Sequence, residues 1–243
     1  MPKIIELKNV SKSFDKTLVI DRLSFDVSEG EIFGIVGPDG SGKTTTSRLI
    51  AGILDVSAGD ISIAGMDLAK NTEKARNMMG YMPQRFSLYE DLTVEENIDF
   101  FADLYSIPAG KRDQRIQDLY RFSHLEDFKE RLAQNLSGGM QKKLALTCAL
   151  INFPKILILD EPTIGVDPLS REELWGMLTN LNKKDGITVF VTTNYMDEVQ
   201  RFGRVGLIYK GRFLVCDKPE NIIEKGKSFE DVFISKIEQT KTI

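Results

Sequence analysis

The residues best able to do chemistry together begin with Gly37-Pro-Asp-Gly-Ser-Gly-Lys-Thr44, which satisfies the spacing G-x-x-x-x-G-K-[ST]. Glycines there let the main chain wrap a polyphosphate with its N–H groups, and Lys43 adds a point charge at the β/γ oxygens. Thr44 offers a hydroxyl to Mg2+, and a helix starting at Lys43 aims its positive dipole end at the phosphates. Asp39 is the discordant member, because a carboxylate in such a cradle is tolerable only if it points outward or binds a loop N–H.

A second constellation is Asp160-Glu161-Pro162, at the end of the apolar run Ile156 to Leu159. If that run is a buried strand, both carboxylates stand at its carboxyl edge, where α/β sheets bind ligands. Asp160 can then hold Mg2+ through its water shell, and Glu161 can polarise a water for in-line attack on a γ-phosphate. A pair of helix-capping acids is the alternative. Gln84 follows Met82-Pro83, and its amide can touch both Mg2+ and the attacking water; taken alone, it reads as an ordinary surface residue.

The elements that must position these groups follow from periodicity. Ile4 to Val10, Leu23 to Val27, Ile32 to Val36, Ile156 to Leu159, Ile187 to Val191 and Val205 to Tyr209 read as strands, with helical spacing between the later ones at Leu174, Trp175, Leu178 and Leu181. Strands alternating with helices predict an α/β fold whose mostly parallel sheet is covered on both faces. From about Arg85 to Phe153 the strand signal disappears and Val94 to Tyr105 and Lys111 to Phe122 read as helices, which predicts a helical insert. Beyond Pro219 the chain reads as helical to about Lys236, then as polar residues prone to fray.

Composition narrows the partners. Among 243 residues, 42% are hydrophobic, enough for a sizeable core, and the net charge of −4 comes without a basic block, so no nucleic-acid partner is expected. Cys148 and Cys216 have no Cys or His at metal-type spacing, which fits a reducing cytoplasm. Neither a basic-then-apolar leader nor an apolar run near the ~20 residues of a spanning helix is visible, so membrane contact is expected through a partner.

At Leu136-Ser-Gly-Gly-Met140 the sequence resembles the signature motif of ABC ATPases, with Ser137 capping a helix that runs through Leu144. Alone, the motif would read as a capped helix after a loop. With the cradle before it and Asp160-Glu161 and Gly165-Val166-Asp167 after it, the resemblance covers roughly residues 4 to 225. It implies a P-loop NTPase fold: a RecA-like ATP-binding core with an antiparallel β edge (1–84 and 154–225), a helical signature subdomain (85–153) and a helical tail (226–243).

The resemblance further implies ATP and Mg2+ as cofactors and a head-to-tail dimer in which each ATP lies between one cradle and the partner's signature helix. Nucleotide contacts would come from Gly37, Pro38, Asp39, Gly40, Ser41, Gly42, Lys43, Thr44 and Thr45, and from Ser137, Gly138 and Gly139 toward the partner's nucleotide. Thr44, Gln84 and Asp160 would serve the metal, and Glu161, Gln84 and the residue at 194 would serve the chemistry. Phe14 matches the position at which the family stacks an aromatic ring on adenine, a core aromatic being the alternative, and Asp167 matches the loop crossing the dimer seam.

The wording Gly80-Tyr-Met-Pro-Gln84, Gly-Gly-Met140 and Phe229-Glu-Asp-Val-Phe233 is similar to ABC-2 type exporters, and Gly-Pro-Asp-Gly with Phe86-Ser-Leu-Tyr89 looks closer to multidrug-exporter ATPases. That likeness places the chain on the inner face of the cell membrane, bound to a permease helix through residues about 85 to 105, with Phe86, Leu88 and Tyr89 in the groove.

One departure matters. Where the family places a histidine on the γ-phosphate, this chain reads Thr192-Thr193-Asn194, and its only histidine, His124, lies in the helical insert. Asparagine donates one hydrogen bond but carries no proton and reaches less far. Loss of a well-placed donor costs about 10²- to 10³-fold in rate, so turnover at this chain's own cradle is expected to be slow, favouring a pairing with a second, standard cassette. The other classes compatible with the sequence are a regulatory cassette that scarcely hydrolyses ATP and a cassette ATPase of translation or DNA repair.

Overall fold

The computed structural model describes residues 2–85, 88–223 and 228–241. The chain begins with β1 (Lys3–Phe14), β2 (Thr17–Ser28), β3 (Ile32–Val36), α1 (Lys43–Ile50), β4 (Ala58–Ile63), β5 (Met66–Asp67), α2 (Thr72–Arg76) and β6 (Met79–Met82). Three helices follow: α3 (Val94–Leu104), α4 (Ala109–Ser123) and α5 (Gly138–Leu150). The remainder is β7 (Ile156–Asp160), α6 (Pro168–Asp185), β8 (Thr188–Thr193), β9 (Arg204–Tyr209), β10 (Arg212–Asp217), α7 (Pro219–Ile222) and α8 (Phe229–Lys241).

Two sheets form. One is antiparallel, ordered β2-β1-β4-β5; the other is ordered β10-β9-β3-β8-β7-β6, parallel from β9 to β6 with β10 antiparallel at its edge. The inner strands β3, β7 and β8 are buried along nearly their whole length, as continuous apolar runs require. Because side chains alternate across a strand, β7 sends Ile156 and Ile158 into one core and Leu157 and Leu159 into another, and β8 likewise parts Phe190 from Val189 and Val191. The first core lies between the two sheets and includes α1, with the rings of Phe25, Phe33 and Phe190 grouped nearly parallel, their centroids 5.1 to 6.2 Å apart. The second gathers α3, α4, α5 and α6, and α5, apolar nearly all round, is buried within it.

The structure extends several expected elements. β1 and β2 run well beyond Ile4 to Val10 and Leu23 to Val27 and pair across a tight turn; the outer half of β1 is polar and only partly buried, so no apolar pattern marks it, whereas Leu18 to Ile20, with Ile20 fully buried, is the apolar run of the outer half of β2. β4, β5, β6 and β10 are short and carry too few buried apolar residues to stand out. The single helical stretch expected from Pro219 to Lys236 is instead α7, which stops where Ile223 becomes extended, and α8, which continues to Lys241. Among the described residues no helix is long and apolar enough to cross a membrane.

Candidate functional site

The cradle loop leaves the carboxyl end of β3 and enters α1 at Lys43, where the sequence placed it. Gly42 adopts φ 108°, and a Cβ there would lie 2.5 Å from the Ile20 side chain, so only glycine makes this entry. No side chain caps α1, which leaves its first N–H groups for an anion. Pro38, Asp39 and Gly40 are exposed, so the Asp39 carboxylate stands in solvent rather than within the loop, while Ser41 is buried with its hydroxyl unpartnered and Thr45 is half-buried.

Lys43 is buried and its ammonium donates to the carbonyls of Gly37 (2.8 Å) and Pro38 (3.1 Å). Its third partner is the Glu161 carboxylate, 3.1 Å away. Glu161 follows β7 in the left-handed region, φ 51°, which turns its side chain out of the strand direction and toward Lys43. Its N–H donates to the carbonyl (3.0 Å) and hydroxyl (3.2 Å) of Thr192, and the Gln84 amide donates to its other carboxylate oxygen at 2.7 Å.

Asp160 closes β7, fully buried. One carboxylate oxygen accepts from the Thr44 hydroxyl (3.1 Å) and the Thr192 hydroxyl (2.6 Å); the other is buried without a partner. A spare buried anionic oxygen beside the Thr44 hydroxyl fits a hydrated divalent cation, and a helix-capping role for the two acids is excluded by these contacts.

Asn194 directly follows β8, whose last carbonyl, that of Thr193, accepts from the Gly37 N–H at 3.4 Å. This brings Asn194 beside the start of the cradle, half-buried, with its side-chain oxygen buried and unpartnered.

The remaining predicted residues lie apart from this cluster. Ser137 caps α5 by accepting from the Met140 N–H, and Ser137 and Gly138 are exposed. Gly139 is buried against the start of α6: a Cβ there would meet the Ser170 hydroxyl at 2.5 Å. Asp167 caps α6 through the Ser170 N–H, and its contacts with Ser170 hold its carboxyl below the ordinary range. Lys143 and Glu173, 2.6 Å apart, tie the two helices together. Phe14 is 44% exposed at the turn between β1 and β2, with the Lys12 ammonium 5.2 Å from its ring, so it is no core aromatic. Tyr89 packs on Phe100 at 4.4 Å and forms with it and exposed Leu104 an apolar surface on α3; Leu88 is half-buried, and Phe86 lies outside the described residues.

Two neighbours of the carboxylates escaped the sequence reading. Thr192, one of three threonines in β8, carries the shorter of the two bonds to Asp160. Lys142 is buried on α5 with its ammonium 3.4 Å from the Glu161 carbonyl, and burial pushes its pKa down to about 8 against the pull of Glu161 and Asp160. Its signal was a lysine in the buried stripe of an apolar helix, one turn before Leu146.

Comparisons with known proteins agree with this arrangement. The ABC transporter family matches residues 20–164. "Probable multidrug ABC transporter ATP-binding protein YbhF" of Escherichia coli (strain K12) is 40% identical over 228 residues, 94% of this chain and 39% of that protein. "Nod factor export ATP-binding protein I" of Sinorhizobium fredii (strain NBRC 101917 / NGR234) is 39% identical over 222 residues, 91% of this chain and 64% of that protein. The chain thus spans less than two thirds of either relative. Among solved structures, the dimeric post-hydrolysis state of the ATP-binding cassette MJ0796 bound to ADP and Pi superposes with a TM-score of 0.80 at 27% identity, covering 88% of this chain and 98% of that one.

Proposed function

Since the chain belongs to the ABC transporter family as an ATP-binding domain, we propose that it is the ATP-binding and hydrolysing part of an exporter, driving a membrane permease by closure of two cassettes on ATP. The observation that carries this reading is the convergence of Lys43, Thr44, Gln84, Asp160 and Glu161 at the uncapped start of α1. Cassettes of this family bind ATP and, as a general property, Mg2+.

In the proposed mechanism the γ-phosphate takes over Lys43 from Glu161, and the first N–H groups of α1 hold the remaining oxygens. Thr44 and Asp160 would hold Mg2+, which would supply charge neutralisation to the phosphates. Glu161, freed from the ammonium but kept in place by Gln84 and the Thr192 backbone, accepts a proton from the attacking water. Asn194 donates one amide hydrogen bond to the phosphate in place of a protonatable ring.

Ser137, Gly138 and Gly139 would serve the nucleotide of a second cassette, the exposure of Ser137 and Gly138 away from the chain's own cradle supporting that role, and Asp167 would face the same seam. Phe14 would lie against adenine. We assign residues 1–84 and 154–225 to the ATP-binding core, 85–153 to the helical subdomain and 226–243 to a tail, with the chain held at the inner face of the membrane by a permease on the Tyr89–Phe100–Leu104 surface. A heteromeric pairing, in which the other cassette carries the histidine, is favoured by Asn194.

The test is calorimetry of Mg-ATP on the Glu161→Gln variant, which blocks turnover. Micromolar binding is expected with hydrolysis reduced at least 10²-fold from the parent chain; no measurable affinity would overturn the reading.

A further inference from the structure

The segment that follows Asn194 is held by an ionic clamp that the proposed chemistry does not use. Tyr195 leads into a 3-10 helix, Met196–Arg201, whose Glu198 is fully buried. One oxygen of Glu198 accepts from the Trp175 indole N–H at 2.9 Å and forms an ion pair with Arg171 Nε at 3.1 Å; the other has no hydrogen-bond partner. Arg171 also lies over the Tyr195 ring, 4.8 Å from its centroid, and pairs with Asp197. One guanidinium therefore grips Tyr195, Asp197 and Glu198, three of the four residues after Asn194, the switch residue at which the family places its histidine.

Arg171 and Trp175 stand four residues apart on α6, and Asp167, the cap of that helix, stands four before Arg171. A single face of α6 runs from the loop proposed to meet the second cassette down to the clamp. Trp175, packed edge-on against Phe202 at 5.6 Å, anchors the far end in the core. A buried carboxylate on a guanidinium adds little net stability compared with an apolar pair of the same volume. What it adds here is direction, because a planar fork fixes its partners in angle as well as distance.

We propose that Arg171 and Glu198 are positioning residues that tie Asn194 to the N-terminal end of α6, so that the switch residue and the partner-facing Asp167 move as one piece. The juxtaposition that carries this is Arg171 on α6 in simultaneous contact with Tyr195, Asp197 and Glu198. The inference rests on the reading of Asn194 as the γ-phosphate donor.

A double-mutant cycle between position 194 and position 171 in the purified chain tests it. Asn194→His is expected to raise kcat by about 10²-fold in the parent, and by only a few-fold when Arg171→Ala is present, with the KM for ATP unchanged. Arg171→Lys keeps the charge and the helix but loses the fork, and should also blunt the gain; it carries the test if Arg171→Ala does not fold. The emission of Trp175, the chain's only tryptophan, together with the melting temperature, reports whether the α6 packing survives. An equal gain from Asn194→His with and without the guanidinium overturns the positioning role alone. No gain from Asn194→His in the parent overturns the reading of Asn194, and this inference with it.

Discussion

The Lys43 ammonium and the Glu161 carboxylate lie 3.1 Å apart with both side chains almost wholly buried. The group that would bind phosphate thus neutralises the group that would activate water, and each keeps the other from being an unpaired buried charge. Removing one partner of such a pair costs about 3–5 kcal/mol. Lys43→Met should therefore lower the urea midpoint sharply as well as abolish Mg-ATP binding. Adding Glu161→Gln should recover most of the stability and none of the binding. A double variant as unstable as Lys43→Met alone would show that the ion pair does not stabilise the nucleotide-free fold.

Ser137 and Gly139 lend themselves to separating binding from association. Ser137→Ala removes the cap of α5, a loss of about 1 kcal/mol, and Gly139→Ala pushes a methyl group into the Ser170 hydroxyl, displacing the tip of α5 from α6. In the Glu161→Gln background both should bind Mg-ATP within about 2-fold of the parent, since neither touches the cradle, yet fail to associate on ATP addition by sedimentation. Undiminished association would remove these residues from the seam.

Lys142 predicts a pH signature. Its pKa falls from 10.5 toward about 8 on folding, chiefly through burial. Between those values the unfolded chain holds the extra proton, so stability rises with pH across the window; the gain is absent below pH 8 and complete above 10.5. The stability of the parent minus that of Lys142→Met, from denaturant unfolding at each pH, should grow from pH 8 to 10.5. A flat difference would show that burial does not penalise this ammonium.

The parts of the fold that apolar runs must build were legible: β3 begins and ends where Ile32 to Val36 does, and α1 begins at Lys43. Where pairing is carried by backbone hydrogen bonds with little burial, as in the outer half of β1, side-chain types held no signal. The same division holds in the site. Lys43, Gln84 and Glu161 lie together, but their direct pairing through the Glu161 carboxylate did not follow from spacing, because it depends on the backward turn at Glu161. Phe14 illustrates the opposite limit: its type allowed a core aromatic or a ring stacked on adenine, and its exposed place at the β1–β2 turn excludes the core.

The alternation along β7 constrains substitution. The same two-residue rhythm that hands Ile156 and Ile158 to one core and Leu157 and Leu159 to the other also decides which way Asp160 faces. A slip of one residue would trade the contents of both cores and swing the carboxylate away from Thr44 at once. A substitution on this strand cannot adjust its chemistry without re-solving its packing, so the changes it tolerates are confined to swaps of similar volume.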